Sequence, residues 1–177
     1  MTNLIEKVID WANERSLVKP YAQYAQTVKL SEELGEISRA ILKEDHDALK
    51  DGIGDVLVVL IILCAQKGID IRPFFSESNF AKWNESYRFY ETHKEKIFDW
   101  KYGFVIGLQS DVGLISQSIY KLRLDSFTDQ LKETLISLHH LAKQHDLTLE
   151  ECLQAAYDEI KDRKGQTING TFIKQQQ

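Results

Sequence analysis

Leu30-Ser31-Glu32-Glu33-Leu34-Gly35-Glu36-Ile37-Ser38-Arg39-Ala40-Ile41 sets Leu30, Leu34, Ile37 and Ile41 on one helical face, with carboxylates beside them. Leu108-Gln109-Ser110-Asp111-Val112-Gly113-Leu114-Ile115-Ser116-Gln117-Ser118-Ile119 repeats the pattern 78 residues on. Extended without a gap, Leu30–Ile71 against Leu108–Leu149 has twelve identical pairs in 42. They include Gly35/Gly113, Ser38/Ser116, Asp51/Asp129, Leu57/Leu135 and Leu63/Leu141. Other core positions are apolar on both sides, such as Ile53/Leu131 and Val58/Ile136. Amphipathic helices resemble one another in general, but the shared loop length and the shared Gly and Ser favour duplication. A helical hairpin cannot bury its own apolar face, so two hairpins predict a four-helix core.

The remaining pattern is also helical. Asn3 with Glu6 three residues on predicts a capped helix to about Glu14. Pro20 suits the first turn of a second helix, which carries apolar Val28 and Leu30 and runs to about Lys43. A third helix, from about Asp47 to Lys67, holds the apolar run Val56–Leu63 and stops at Gly68. Pro73 opens a fourth that continues past Tyr87; further helices cover about Lys94–Leu122 and Ser126–Gln144. Thr148 with Glu151 is a capping box for a last helix to about Arg163, and Asn169-Gly170 marks a hairpin. The expected fold is all-α, with peripheral helices around the bundle and a short C-terminal β-hairpin-like tail. Residues 1–95 form the unit with the carboxylates and 96–177 a degenerate second unit with a basic tail, packed as one domain.

The 177 residues carry 22 basic and 27 acidic side chains, a net charge of −5, which disfavours a general nucleic-acid partner. The apolar run Val56–Ala65 is about half a membrane span, and no signal-peptide pattern opens the chain, so a cytoplasmic protein with no membrane partner is expected. Cys64 and Cys152 lie in apolar helical patterns and read as core thiols.

Glu33 and Glu36 are three apart, and Glu32 flanks them; Asp51 and Asp55 are four apart on the next helix. Paired as a hairpin, these helices converge carboxylates beside the core. Carboxylates that close raise one another's pKa unless a cation intervenes, and all-oxygen ligation suits Mg²⁺ or Mn²⁺. The plainer alternative is a solvated acidic helix face. Gly52 and Gly54 weigh against it, since each costs about 1 kcal/mol in a helix and asks for a close approach or a ligand.

Glu32-Glu33-x-x-Glu36, followed after a short turn by Gly54-Asp55-Val56-Leu57-Val58-Val59-Leu60, resembles the MazG-like all-α NTP pyrophosphohydrolases. The phage and prophage type is the closest in pattern, and the dimeric dUTPases and dCTP pyrophosphatases are related. The resemblance covers about residues 1–71. It resumes over 147–174, where Ala155–Gly165 and Asn169-Gly170-x-Phe172-Ile173-Lys174 are similar to the tail of the phage-type members. It implies cleavage of the α–β phosphoanhydride of a nucleoside triphosphate. Mg²⁺ ligands then fall on Glu33, Glu36 and Asp55, with Glu32 and Glu33 as catalytic carboxylates and Glu32 orienting water. The family's Glu three residues before the Asp is Gly52 here, so Asp51 either substitutes as a ligand or one metal is lost.

Gln26 and Lys29 continue the stripe of Glu33 and Glu36; Lys29 can contact substrate or simply pair with a neighbouring carboxylate. Lys161, Arg163, Lys164 and Lys174 flank the tail hairpin and read either as phosphate contacts or as a solvated helix end. Trp11 can frame a base or belong to the core. His139-His140 reads as an exposed face. In the second copy Ser110, Asp111, Leu114, Asp129 and Glu133 replace Glu32, Glu33, Glu36, Asp51 and Asp55, so only the first copy is expected to bind metal. The competing reading is a catalytically inactive module that binds nucleotide or a partner protein. Six rings among Phe74, Phe75, Phe80, Tyr87, Phe89 and Tyr90 suggest a homodimer with its interface near 74–90.

Overall fold

The structure is a computed structural model that describes residues 1–76, 80 and 100–175. Helix α1 spans Thr2–Glu14, α2 Gln23–Lys43, α3 His46–Lys67, α4 Trp100–Tyr120, α5 Leu124–Gln144 and α6 Leu149–Ile160. Strands β1 (Gly165–Ile168) and β2 (Thr171–Lys174) form an antiparallel hairpin. The fold is all-α with a hairpin tail, as the periodicity predicts. Among the described residues no helix is long and apolar enough to cross a membrane.

The duplication is visible in backbone geometry. Helix α2 packs along α3, α4 along α5, and α2 against α4. The first hairpin turns at Glu44 (φ 54) and the second at its repeat equivalent Leu122 (φ 54). Asp45 N–H donates to Ala40 C=O, and Arg123 N–H repeats this with Ser118. Gly68 (φ 68) and Asp146 (φ 55) end the second helix of each copy, with Ile69 N–H on Cys64 C=O and Leu147 N–H on Ala142 C=O. Such paired left-handed helix ends satisfy the last carbonyls.

The core joins both copies. Leu30, Ile37, Ile53, Leu57, Leu60, Ile61 and Leu63 are buried from the first, and Leu108, Ile115, Phe127, Leu131, Leu135, Leu138 and Leu141 from the second. Gly54 lets α6 come close: a Cβ there would lie 2.3 Å from Cys152 C=O. At Gly52 a Cβ would meet Ile37 Cγ1 at 3.1 Å. Both glycines thus serve helix contact. Both thiols are buried, and burial holds them above the usual thiol range.

Several local expectations change. Met1, not Asn3, is the N-cap of α1, with no side-chain cap. Pro20 begins a separate 3₁₀ turn, Pro20–Ala22, and α2 starts after it. Val28 is 71 % exposed, because the α2 face it shares with Tyr24 points outward. His139 and His140 are half-buried, stacked on Phe80 and Phe104 at 4.5 and 5.9 Å between ring centroids. Phe74, Phe75 and Phe80 pack partly buried against the core, so these three rings are not free surface. Tyr87, Phe89 and Tyr90 lie outside the described residues. The capping box at Thr148–Glu151 forms as expected.

Candidate active site

A cavity of about 370 Å³ lies where α2, α3, the end of α6 and the tail hairpin meet. From α2 it receives Gln26, Lys29, Glu33 and Glu36, one helical stripe. From α3 it receives Asp51 and Asp55, and below them the apolar floor of Val58, Val59 and Ile62. Ligand atoms of Glu33, Glu36 and Asp55 all lie within 4.8 Å of one another.

Glu33 is 3 % exposed, and its Oε2 has no hydrogen-bond partner. Its Oε1 is held by Lys29 Nζ at 2.5 Å, and Lys29 also reaches Glu32 at 3.0 Å. Burial pulls the Lys29 pKa down, but the two carboxylates outweigh it and the net shift is upward. Burial pushes the Glu33 carboxyl up, against the pull of Lys29. Asp55 is pushed up to about 7 by burial and then by Glu33, Asp51 and Glu159. Asp51 is raised by burial and by Glu159. A buried carboxylate oxygen with nothing to accept from, inside a cluster of three carboxylates, fits a hard divalent cation with oxygen ligands.

The tail closes the other wall. Asn169 (φ 51) and Gly170 (φ 82) make the tight turn, with Ile168 paired to Thr171. Gln26 Nε2 donates to Gly170 C=O at 3.2 Å, and a Cβ on Gly170 would lie 2.6 Å from Ala22 Cα. The hairpin is therefore docked on the start of α2. Thr167 Oγ1 donates to Arg15 C=O at 2.5 Å, and the Arg15 guanidinium lies over the rings of Trp11 and Phe172. Trp11 Nε1 donates to Ile160 C=O at 2.9 Å. Trp11 is thus buried and also lines the cavity, facing Phe172 at 5.9 Å.

Of the residues expected from sequence, Gln26, Lys29, Glu33, Glu36, Asp51, Asp55, Trp11, Arg163 and Lys174 line this cavity. Glu32 does not; it is exposed and bound to Lys29. Lys161 pairs with Asp158 on the outer surface, and Lys164 is exposed away from the cavity. Asp51 lines the cavity but stands apart from the tight group of three. Glu159 was missed. It sits in Ala155–Gly165, quoted above for its similarity, but no spacing links it to residues on α3.

The second copy keeps a remnant. Asp111 is pushed up to about 6 by burial and by Glu133, and Ser137 Oγ donates to its Oδ2 at 3.4 Å. Leu114 stands where Glu36 stands in the first copy, and Gly107 where Lys29 stands.

An uncharacterised 18.2 kDa protein from the rep–hol intergenic region of Haemophilus phage HP1 (strain HP1c1) is 40 % identical over 70 residues. That span covers 40 % of this chain and 43 % of the relative, so the chain matches under half of that protein's length. No solved structure matches. The stretch that supplies Glu33, Glu36, Asp51 and Asp55 is the one a family model recognises: residues 23–85 match the MazG nucleotide pyrophosphohydrolase domain.

Proposed function

We propose that the chain is a metal-dependent nucleoside triphosphate pyrophosphohydrolase, taking (d)NTP and water to (d)NMP and pyrophosphate, with a role in nucleotide-pool sanitation. The observation that carries this reading is the buried, unpartnered Glu33 Oε2 beside Glu36 and Asp55, in a cavity that also presents Lys29, Arg163 and Lys174. Mg²⁺, or Mn²⁺ in its place, would supply Lewis-acid activation of a phosphate oxygen and a bound water of lowered pKa.

The chain's own residues supply the rest. Glu33, Glu36 and Asp55 would hold the ion. Lys29 occupies one oxygen of Glu33 and leaves the other, Oε2, without a partner. Arg163 and Lys174 offset the charge of the phosphate chain from the opposite wall. Trp11 and Phe172 give a base an apolar wall, while the hydrogen bond to Ile160 fixes the indole plane. Glu32 acts through Lys29, which it holds in register with Glu33; orientation of the attacking water falls to the carboxylates inside the cavity.

Pyrophosphate release from a panel of dNTPs with Mg²⁺ or Mn²⁺ tests the reading. Glu36→Gln is expected to abolish turnover, since it removes an anionic ligand and keeps shape. Asp129→Asn, at the exposed repeat equivalent of Asp51, should leave turnover within a few-fold. Equal loss from both would mean that the second copy is catalytic. Gly52 favours one alternative, a nucleotide-binding module without catalysis, because its missing carboxylate is not restored by any residue at that position. No release from any nucleotide at high protein concentration would select that alternative.

We also propose a homodimer, with a soluble, cytoplasmic setting and no nucleic-acid or membrane partner. Support comes from exposed apolar positions that the duplication repeats: Tyr24, Val28 and Leu42 on α2 correspond to Tyr102, Ile106 and Tyr120 on α4. Light scattering should give twice the 20.5 kDa of one chain; a mass near 20.5 kDa across a wide dilution range would sink the dimer.

A further inference from the structure

Arg15, the C-cap of α1, touches three parts of the chain yet does not line the cavity. Its side chain is 16 % exposed. One guanidinium nitrogen, Nη1, donates to Trp11 C=O at 3.1 Å, and Nη2 donates to Arg163 C=O at 3.0 Å, which ties α1 to the chain just beyond α6. Held this way, Cζ lies 4.7 Å from the centroid of the Trp11 ring and 5.6 Å from that of Phe172. The two rings are 5.9 Å apart and tilted by 60°, so the three groups form a wedge. Trp11 and Phe172 both line the cavity, and a ligand there meets the rings and not the guanidinium. Stability alone accounts poorly for burying this side chain. Arg15 Nε is buried with no partner, which is a cost. Its ion pair with Glu14 is on the exposed side and offsets little. What a guanidinium does that other side chains cannot is hold two carbonyls with one planar fork while stacking on rings.

We propose that Arg15 is a positioning residue for the nucleotide base: it sets the planes of Trp11 and Phe172, and those rings meet the base. The inference rests on the nucleotide reading above. Trp11, Arg15 and Phe172 all lie outside the segment 23–85 matched to the family, so the wall is built by the flanking segments of this chain. Ring contacts depend on offset and tilt, so a ring released to turn loses part of its stack. Two plainer roles compete: Arg15 fastens the tail to α1, or its charge draws in phosphate. The tail has fasteners that do not use the Arg15 side chain. Thr167 Oγ1 donates to the backbone C=O of Arg15, and Gln26 Nε2 donates to Gly170 C=O. The hairpin therefore stays docked when that side chain is replaced.

Calorimetry on the whole protein with Mg²⁺ separates these roles. The probes are the α,β-imido analogues of the common dNTPs and inorganic tripolyphosphate, which carries the charge without a base. Arg15→Gln is expected to weaken the tightest-binding analogue about tenfold, the size of one lost base–ring stack. Tripolyphosphate affinity and the helical circular dichroism should not change. Arg15→Lys keeps the charge but not the planar fork, so it should weaken the analogue as Arg15→Gln does. Phe172→Ala should weaken it too, and adding Arg15→Gln to that variant should cost much less than in wild type, because the residues act as a unit. Equal weakening of analogue and tripolyphosphate would overturn the proposal, as would wild-type affinity in Arg15→Lys or full additivity with Phe172→Ala. Wild-type protein that binds every analogue no more tightly than tripolyphosphate would overturn the nucleotide reading itself, and the proposal with it.

Discussion

Asp55→Asn is expected to end metal-dependent turnover and, in the metal-free protein, to raise stability at neutral pH. The carboxyl is pushed from 3.8 to about 7, chiefly by burial and then by its acidic neighbours. Between those two values the folded chain keeps a proton that the unfolded chain has released. This group therefore lowers the stability of the metal-free protein as pH rises from about 4 to about 7, and the loss is complete above that. Three pH units at about 1.4 kcal/mol each set an upper limit near 4 kcal/mol. Urea unfolding in EDTA should show the variant more stable than wild type at pH 8, with the gap narrowing at pH 5. Added Mg²⁺ should reverse the order, because only the wild-type carboxylate gains a partner. Identical pH profiles for the two proteins would show that Asp55 is not under this strain.

Gly54→Ala should be the most damaging methyl group that can be added to the bundle. The new Cβ would sit 2.3 Å from Cys152 C=O and 2.8 Å from Ala156 Cβ, and backbone cannot swing aside as a side chain can. Overpacking of this kind costs about 1–3 kcal/mol, and a backbone contact belongs at the upper end. Helices α3 and α6 would have to separate, which moves Asp55 and Glu159 apart, so turnover should fall along with the urea midpoint. Gly35→Ala is the control within the same hairpin. Nothing lies within 4 Å of its would-be Cβ, so the better helix former should stabilise by about 1 kcal/mol. If both changes shift the midpoint alike, the close approach of α3 and α6 is wrong.

The repeat was legible because packing leaves a periodic trace. Leu30, Leu34, Ile37 and Ile41 announce one face, and the register fixed by Gly35/Gly113 and Asp51/Asp129 locates the turns at Glu44 and Leu122. The cluster of Glu33, Glu36 and Asp55 was legible for a related reason: spacings of three and four on paired helices bring side chains together. Exposure was less so. Val28 is apolar but lies on the outer face, and His139-His140 looks polar but shelters against Phe80 and Phe104. Among the cations, Arg163 and Lys174 are set apart from Lys161 and Lys164 by where the tail docks, which composition does not encode. Glu159 was invisible because its neighbour Asp51 is 108 residues away in sequence and is met only through the α3–α6 packing.

The hydrogen bond from Gln26 to Gly170 spans 144 residues of chain, and this sets an order of events during synthesis. Helices α2 and α3 leave the ribosome early and can pair at once, since their contacts are local. The acidic cluster then exists, uncovered, while α4, α5 and α6 are still being made. At a few to about twenty residues per second, several seconds or more separate the nascent carboxylates from the Arg163, Phe172 and Lys174 that wall them in. A ribosome-bound chain would thus hold its acids open to solvent and gain a closed cavity only when the tail emerges and docks.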